Sequence, residues 1–339
     1  MVRVAIAGAG RWGINHVRAF ARIGMTGGPC EVRAVCDPSE EALARAKKLV
    51  PGARLSRRFE EVLSAPDVDA VVLATPAKDH AKMAVAAFEA GKHVLVEKPL
   101  ALDRGEAESV VAASRRAGRV LLVGHLMLFH PAVKRMREGI RSGEIGDILY
   151  LYSVRVNLGT LRQDENAMWS LAPHDLSVML HLLGEAPVSV AARGAACLRP
   201  DVHDVVFLSL RFPSGVLAQI QTSWLDPRKQ RRLVVVGSRK MMELDDVLPT
   251  EKLRVHDKGF ERDATFTEYA EFMSIRRGDI LVPEVPMVEP LDVECRHFLD
   301  CITTGEEPLA SGASAVRVVE ILAAAQRSLE ADGVPFGVG

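Results

Sequence analysis

The turn Gly8-Ala9-Gly10-Arg11-Trp12-Gly13 is the first place where this sequence could do chemistry. It follows an apolar run, Val2–Ala7, and opens a stretch with helical spacing. A bound diphosphate has three needs here. Gly8 permits the tight turn, Gly10 lets backbone amides approach the phosphates, and Gly13 lets the helix pack close to the strand. Arg11 and Trp12 complete the loop, and the helix start turns its free N–H groups toward the anion. Asp37 ends the second apolar run, about 20 residues further on, where the dinucleotide fingerprint expects an acid. A carboxylate there accepts hydrogen bonds from a ribose diol and repels a 2′-phosphate, so NAD is favoured over NADP.

Lys98 and His174 are the candidate catalytic side chains. Lys98 stands before Pro99 at the end of a strand-like run, and ligands collect at the carboxyl ends of parallel strands. Its ammonium can donate to a hydroxyl or to a developing oxyanion. The alternative is a solvated lysine beside a strand end. His174, in Pro173-His174-Asp175, carries an imidazole suited to taking an alcohol proton near neutral pH. A satisfied core or surface histidine is its alternative. Arg155 and Asn157 share one face of an alternating stretch, and Arg162 follows. Arginines in such places hold a carboxylate or diphosphate with paired N–H donors, or simply line a solvated sheet. The His174-Asp175 and His203-Asp204 pairs lack metal-ligand spacing, so no metal is expected.

The elements that must position these residues are legible as two patterns. Val2–Ala7, Val32–Cys36, Ala70–Ala74, His93–Glu97 and Val120–Val123 read as continuous apolar strands alternating with helices. Ser39 caps the helix Glu40–Leu49, Gly91 ends Ala81–Ala90, and Asp103 with Glu106 opens a helix that stops at Gly118. This order implies a parallel, doubly wound sheet covered on both faces. After Gly124 the pattern changes. Pro131–Arg141 reads as a helix and Ile148–Val156 alternates with period two. Leu171–Leu183 is helical, and Ser189–Cys197, Val205–Phe212, Val216–Trp224, Leu233–Val236 and Lys240–Leu244 read as antiparallel strands before a closing helix, Ala313–Ala331. The expected fold is therefore α/β, with an N-terminal Rossmann dinucleotide-binding domain over residues 1–124. A C-terminal α/β domain with an open, mainly antiparallel sheet, for substrate binding and oligomerisation, takes 125–339.

Composition narrows the partners. With 43 basic and 44 acidic residues the net charge is −1, so no basic excess exists to neutralise nucleic acid. No apolar run is long enough to span a bilayer, and no secretory leader pattern opens the chain. The five cysteines form no CxxC pair, which fits free thiols in a reducing compartment and a cytoplasmic location.

The pieces GAGRWG at 8–13, Ala74-Thr75-Pro76 with His80, Glu97-Lys98-Pro99, Gly124-His125 and Pro173-His174-Asp175 together resemble the Gfo/Idh/MocA oxidoreductases. That family includes glucose-fructose oxidoreductase and inositol dehydrogenases. The resemblance covers nearly the whole chain and implies catalysis by Lys98 and His174. It also implies that Thr75, Pro76, His80, Glu97 and Lys98 join the cofactor site. The string from Arg155 to Ser177, with Asn157, Arg162, Asp164, Asn166 and Trp169, is similar to that of nucleotide-sugar dehydrogenases acting at C3 of a UDP-linked N-acetylamino sugar or its uronate. One position departs: where such relatives often carry Asp four residues before the histidine, this chain has Ser170, which brings no charge to the site.

The expected activity is hydride transfer between NAD and a secondary alcohol of a sugar, with a nucleotide-sugar as substrate. An inositol, polyol or free-sugar dehydrogenase is the alternative within enzymes, and a non-catalytic dinucleotide-sensing regulatory protein the alternative outside them. Too few helices remain to cover both faces of the second sheet, so its open face is a candidate oligomer interface, and the family resemblance implies a homodimer or homotetramer.

Overall fold

The computed structural model describes residues 1–159, 165–262 and 273–339. The chain divides into two compact units, Met1–Phe129 with Val288–Ala323, and His130–Met287 with Ala324–Gly339.

The first unit opens with β1 (Val2–Ala7), α1 (Gly13–Met25), β2 (Cys30–Cys36), α2 (Glu40–Leu49), β3 (Arg54–Ser56) and α3 (Phe59–Leu63). It continues with β4 (Ala70–Leu73), α4 (Ala77–Glu89), β5 (His93–Glu97), α5 (Arg104–Ala117) and β6 (Leu121–Gly124). The six strands form one sheet in the order β3-β2-β1-β4-β5-β6, and every pairing is parallel. The apolar runs fold this way because both sheet faces are covered: Val4, Ile6, Val71, Leu73, Leu95 and Val96 are completely enclosed. Helix ends follow the caps expected of them. The Ser39 hydroxyl accepts from Ala42 N, the Asp103 carboxylate accepts from Glu106 N at 2.9 Å, and Gly118 closes α5 in the left-handed conformation. The strand order reverses between β1 and β4, so the loops after those two strands open at the usual ligand crevice of such sheets.

The second unit contains α6 (Pro131–Arg141), β7 (Ile148–Leu158), α7 (Ala167–Leu183), β8 (Ser189–Ala195), β9 (Val205–Arg211), β10 (Leu217–Ser223) and β11 (Leu225–Gly237). β12 (Met241–Asp245), β13 (Leu253–His256), β14 (Gly259–Arg262), β15 (Met273–Arg276) and β16 (Ile280–Leu281) follow. The chain then returns to the first unit with α8 (Pro290–Thr304) and most of α9 (Gly312–Glu330), and β17 (Phe336–Gly337), in the second unit, ends the chain. Nine strands build a sheet in the order β16-β13-β12-β11-β7-β10-β9-β8-β17. Only the β7–β10 pairing is parallel among these described strands. Leu151, Val190, Leu208, Ile220, Val235 and Met242 bury one face, and α7, apolar nearly all round, packs on β7, β9 and β10.

The division differs from a single cut after residue 124. Residues 288–323 belong to the first unit, not to one continuous 125–339 domain. β6 is the edge strand of the parallel sheet, with main-chain groups to satisfy. Val123 N donates to Ala310 O at 2.9 Å, and Leu122 bridges Ser311. α8 packs against α1.

Candidate functional site

The glycine turn is built as a cradle. Gly8 has φ +89°, and a side chain on it would meet the Ala74 carbonyl oxygen at 2.5 Å. A Cβ on Gly13 would collide with the Gly8 carbonyl, because α1 starts directly against the turn. A Cβ on Gly10 would meet nothing within 4 Å. The turn therefore keeps open space beside its amides at one position, and that space suits a pyrophosphate. Asp37 supports the same loop. Its Oδ2 accepts from Ala9 N at 2.7 Å and its Oδ1 from Ser39 N at 2.8 Å. Each carboxylate oxygen keeps a further lone-pair direction for a ribose diol. The donor set fits a dinucleotide.

At the end of β5, neighbouring residues go different ways. The Glu97 carboxylate is enclosed and receives the Trp12 indole N–H at 2.5 Å, with His16 Nε2 at 2.6 Å. Burial works against its charge. The His16 hydrogen bond and charge, the indole N–H and the Lys98 ammonium outweigh that and hold its carboxyl below the usual value. Glu97 thus reaches the cofactor turn through Trp12, which is 43% exposed. Lys98 is half-buried and joined to Pro99 by a cis peptide. Parallel pairing sets Glu97 opposite Gly124, so His125 follows Gly124 on β6 as Lys98 follows Glu97 on β5. His125 is buried, and neither ring nitrogen has a hydrogen-bond partner among the described residues. Burial and the Lys98 charge push its pKa down to about 4.

His80 was expected at the cofactor. Its Nδ1 lies 2.7 Å from Pro99 O and its Nε2 2.9 Å from Thr75 O. Both nitrogens face main-chain carbonyls, and the N–H of a neutral ring donates to one of the two, so the ring lies wedged between the loops after β4 and β5. Thr75 and Pro76 lead into the start of α4. His16, a residue the sequence reading passed over, is buried on the apolar face of α1 with Val17 and Phe20. Its Nδ1 faces Cys295 Sγ at 3.9 Å. Beside it on α8, Glu294 is fully enclosed, and its carboxyl oxygens have no hydrogen-bond partner among the described residues. Burial, with the Glu97 charge, pushes its pKa well up.

In the second unit, α7 carries Ser170 and His174 one turn apart on one face. Ser170 is buried and His174 half-buried. Asn157 lies half-buried near the end of β7, and Arg162 lies outside the described residues. Arg155, expected to hold a substrate anion, gives Nε to Asp175 Oδ2 at 2.6 Å and Nη2 to Asp175 Oδ1 at 3.1 Å. The pair is inside the unit, with side chains 8% and 5% exposed. Period-two alternation sets Arg155 on the same face of β7 as Leu151 and Ser153, and that face is the buried one.

Among the described residues, no three His, Cys, Asp or Glu side chains group to hold a metal, and no helix is long and apolar enough to cross a membrane. Residues 2–125 match the Gfo/Idh/MocA profile described as an oxidoreductase family with an NAD-binding Rossmann fold, and residues 133–243 match the Gfo/Idh/MocA C-terminal domain. Inositol 2-dehydrogenase 2 of Saccharopolyspora erythraea is 34% identical over 226 residues, 65% of this chain and 66% of that protein. A protein of Magnetospirillum magnetotacticum MS-1 described as an oxidoreductase is 34% identical, with TM-score 0.78 over 95% of this chain and 98% of its own. UDP-N-acetylglucosamine 3-dehydrogenase GnnA of Acidithiobacillus ferrooxidans superposes with TM-score 0.82 at 25% identity, over 97% of this chain and 98% of that one. With both domains matched and the cradle in place, the chain belongs to the Gfo/Idh/MocA family of NAD-binding oxidoreductases.

Proposed function

We propose that this NAD-dependent oxidoreductase acts on a secondary alcohol of a nucleotide-linked sugar. The observation that carries the cofactor half is the open space at Gly10 beside an Asp37-supported turn. The likeness to GnnA over almost the full length of both chains supports the nucleotide-sugar half. NAD, when bound, takes up the hydride from the carbinol carbon.

The chain's own residues supply the rest. The amides of the Gly8–Gly13 turn, with Arg11 and Trp12 in it, take the phosphates, and Asp37 takes the ribose diol. Thr75 and Pro76 shape the adjoining loop. Glu97 and His80 hold this frame from beneath. His174 accepts the hydroxyl proton, and the Lys98 ammonium donates to the carbinol oxygen as it gains negative charge. Asn157 and Ser170 contact the sugar by neutral hydrogen bonds. Lys98→Ala and His174→Ala should each lower kcat by about 10²–10⁴-fold while NAD affinity stays within about twofold. Unchanged turnover in both variants defeats the assignment.

A second reading, an inositol or other polyol dehydrogenase, is favoured by the 34% identity to the Saccharopolyspora inositol dehydrogenase. NADH formation against a panel of UDP-sugars and inositols separates the two, and UDP raises the melting temperature only under the first. We also propose a homodimer or homotetramer. The outward face of the nine-stranded sheet shows Tyr150, Phe207 and Leu217 at 46%, 45% and 55% exposure. Light scattering after size exclusion reads the mass directly.

A further inference from the structure

Helix α7 runs unbroken from Ala167 to Leu183 but carries a proline, Pro173, just before His174. Pro173 has no amide hydrogen, so the Trp169 carbonyl loses its usual helical donor, and the two halves of the helix are joined by a weakened ladder. Each half is tied down separately. On the near side, the Asn166 side chain caps Trp169 N at 3.1 Å, and Asn166 Nδ2 and the Trp169 indole both donate to Gln326 Oε1, at 3.0 and 3.3 Å. On the far side, Asp175 is gripped by the two-pronged Arg155 fork from β7. His174 lies between the two ties, next to the proline.

A buried ion pair such as the second tie is weak evidence for stability. Two charges withdrawn from water regain little when paired, and an apolar pair of similar volume usually holds a fold as well or better. What a bidentate guanidinium–carboxylate pair supplies, and an apolar pair does not, is a fixed distance and angle. Proton transfer requires this, because a base must meet its hydroxyl within hydrogen-bond reach and small misplacements cost rate steeply.

We infer that Arg155 and Asp175 form a positioning pair that aims His174 by pinning the post-proline half of α7 to β7. This rests on His174 being the base. Neither residue touches substrate in this scheme. Both act through the helix, and the Ser177 hydroxyl, which donates to His174 O at 2.9 Å, belongs to the same pinned turn.

The test compares three variants in the full-length enzyme with NAD and the best alcohol of the panel. Asp175→Asn removes the charge and half of the fork, and Arg155→Lys keeps the charge but offers a single donor. The double variant Arg155→Met/Asp175→Leu replaces the pair by apolar side chains. Kcat should fall by about 10²-fold in Asp175→Asn and in the double variant, and about tenfold in Arg155→Lys, with KM and NAD affinity within about threefold. The double variant should melt near the wild-type temperature, so that stability returns and turnover does not. A structural role predicts the reverse, and a double variant turning over within about twofold of wild type overturns the inference. Should Asp175→Asn fail to fold, the other two variants still decide. His174→Ala separates the failures. If it is inactive while the double variant is fast, only the positioning role falls. If His174→Ala itself remains active, the assignment of the base falls and takes this inference with it.

Discussion

The same change, glycine to alanine, should do opposite things at two positions three residues apart. At Gly13 the new methyl collides with the Gly8 carbonyl and lies 3.2 Å from Ala74 Cβ. Both are held by sheet and turn, so overpacking should cost about 1–3 kcal/mol of stability. At Gly10 the methyl meets no atom within 4 Å, and the backbone is not left-handed. There the protein should be unharmed, or gain up to about 1 kcal/mol from a less flexible unfolded chain. The loss at Gly10 falls on the ligand. Pushing a phosphate off one amide forfeits a charge-assisted hydrogen bond of about 1.5–3 kcal/mol, or about 10–100-fold in Kd. Melting curves with and without NAD read both effects. At 100 times its Kd, NAD should stabilise the wild type by about 2.7 kcal/mol, and the same concentration should stabilise Gly10→Ala by only about 0.4–1.4 kcal/mol. A Gly10→Ala protein that binds NAD as the wild type does, or that melts as low as Gly13→Ala without ligand, would refute the reasoning.

Asp37→Asn keeps an acceptor for one of the two amides it serves and removes the charge. NAD binding should weaken about tenfold and the preference for NAD over NADP should shrink, both measurable by fluorescence titration of the reduced dinucleotides. His80→Leu removes the single N–H that a neutral ring gives to one of these two carbonyls, so urea unfolding should show a loss of about 1–3 kcal/mol. An unchanged midpoint would mean that the ring holds nothing. Glu294 keeps its proton when folded and releases it when unfolded at any pH between its ordinary 4.5 and its raised folded value. Wild-type stability should therefore fall as pH rises through that window, and Glu294→Gln should remove the slope. Equal slopes in thermal melts from pH 5 to 8 would count against a buried neutral acid.

The first sheet was legible because its strands are enclosed on both faces and therefore read as unbroken apolar runs. The glycine turn could be read residue by residue because each glycine answers a different steric demand. What escaped lies where two distant segments meet. His16 is a polar residue on an apolar helical stripe, a detectable oddity, but its partner Glu97 is 81 residues away. Arg155 looked like a candidate for substrate binding, since alternation tells which residues share a face and not which face is covered. α8 had its own signals: Pro290 at the start, Gly305 after the end, and Leu291, Cys295, Phe298 and Leu299 at helical spacing. They went unread beside the short strands β13–β16, whose few residues carry no clear period.

The inward turn of Glu97 makes one carboxylate a shared hinge pin. It fastens the loop that would take the phosphates to the strand end that carries Lys98, through an indole 85 positions away along the chain. Trp12 and Lys98 are then parts of a single energetic unit, and perturbing either should change what the other's replacement costs. Redesigning the phosphate loop for a different dinucleotide would retune the lysine at the same time, even with every residue around that lysine left alone.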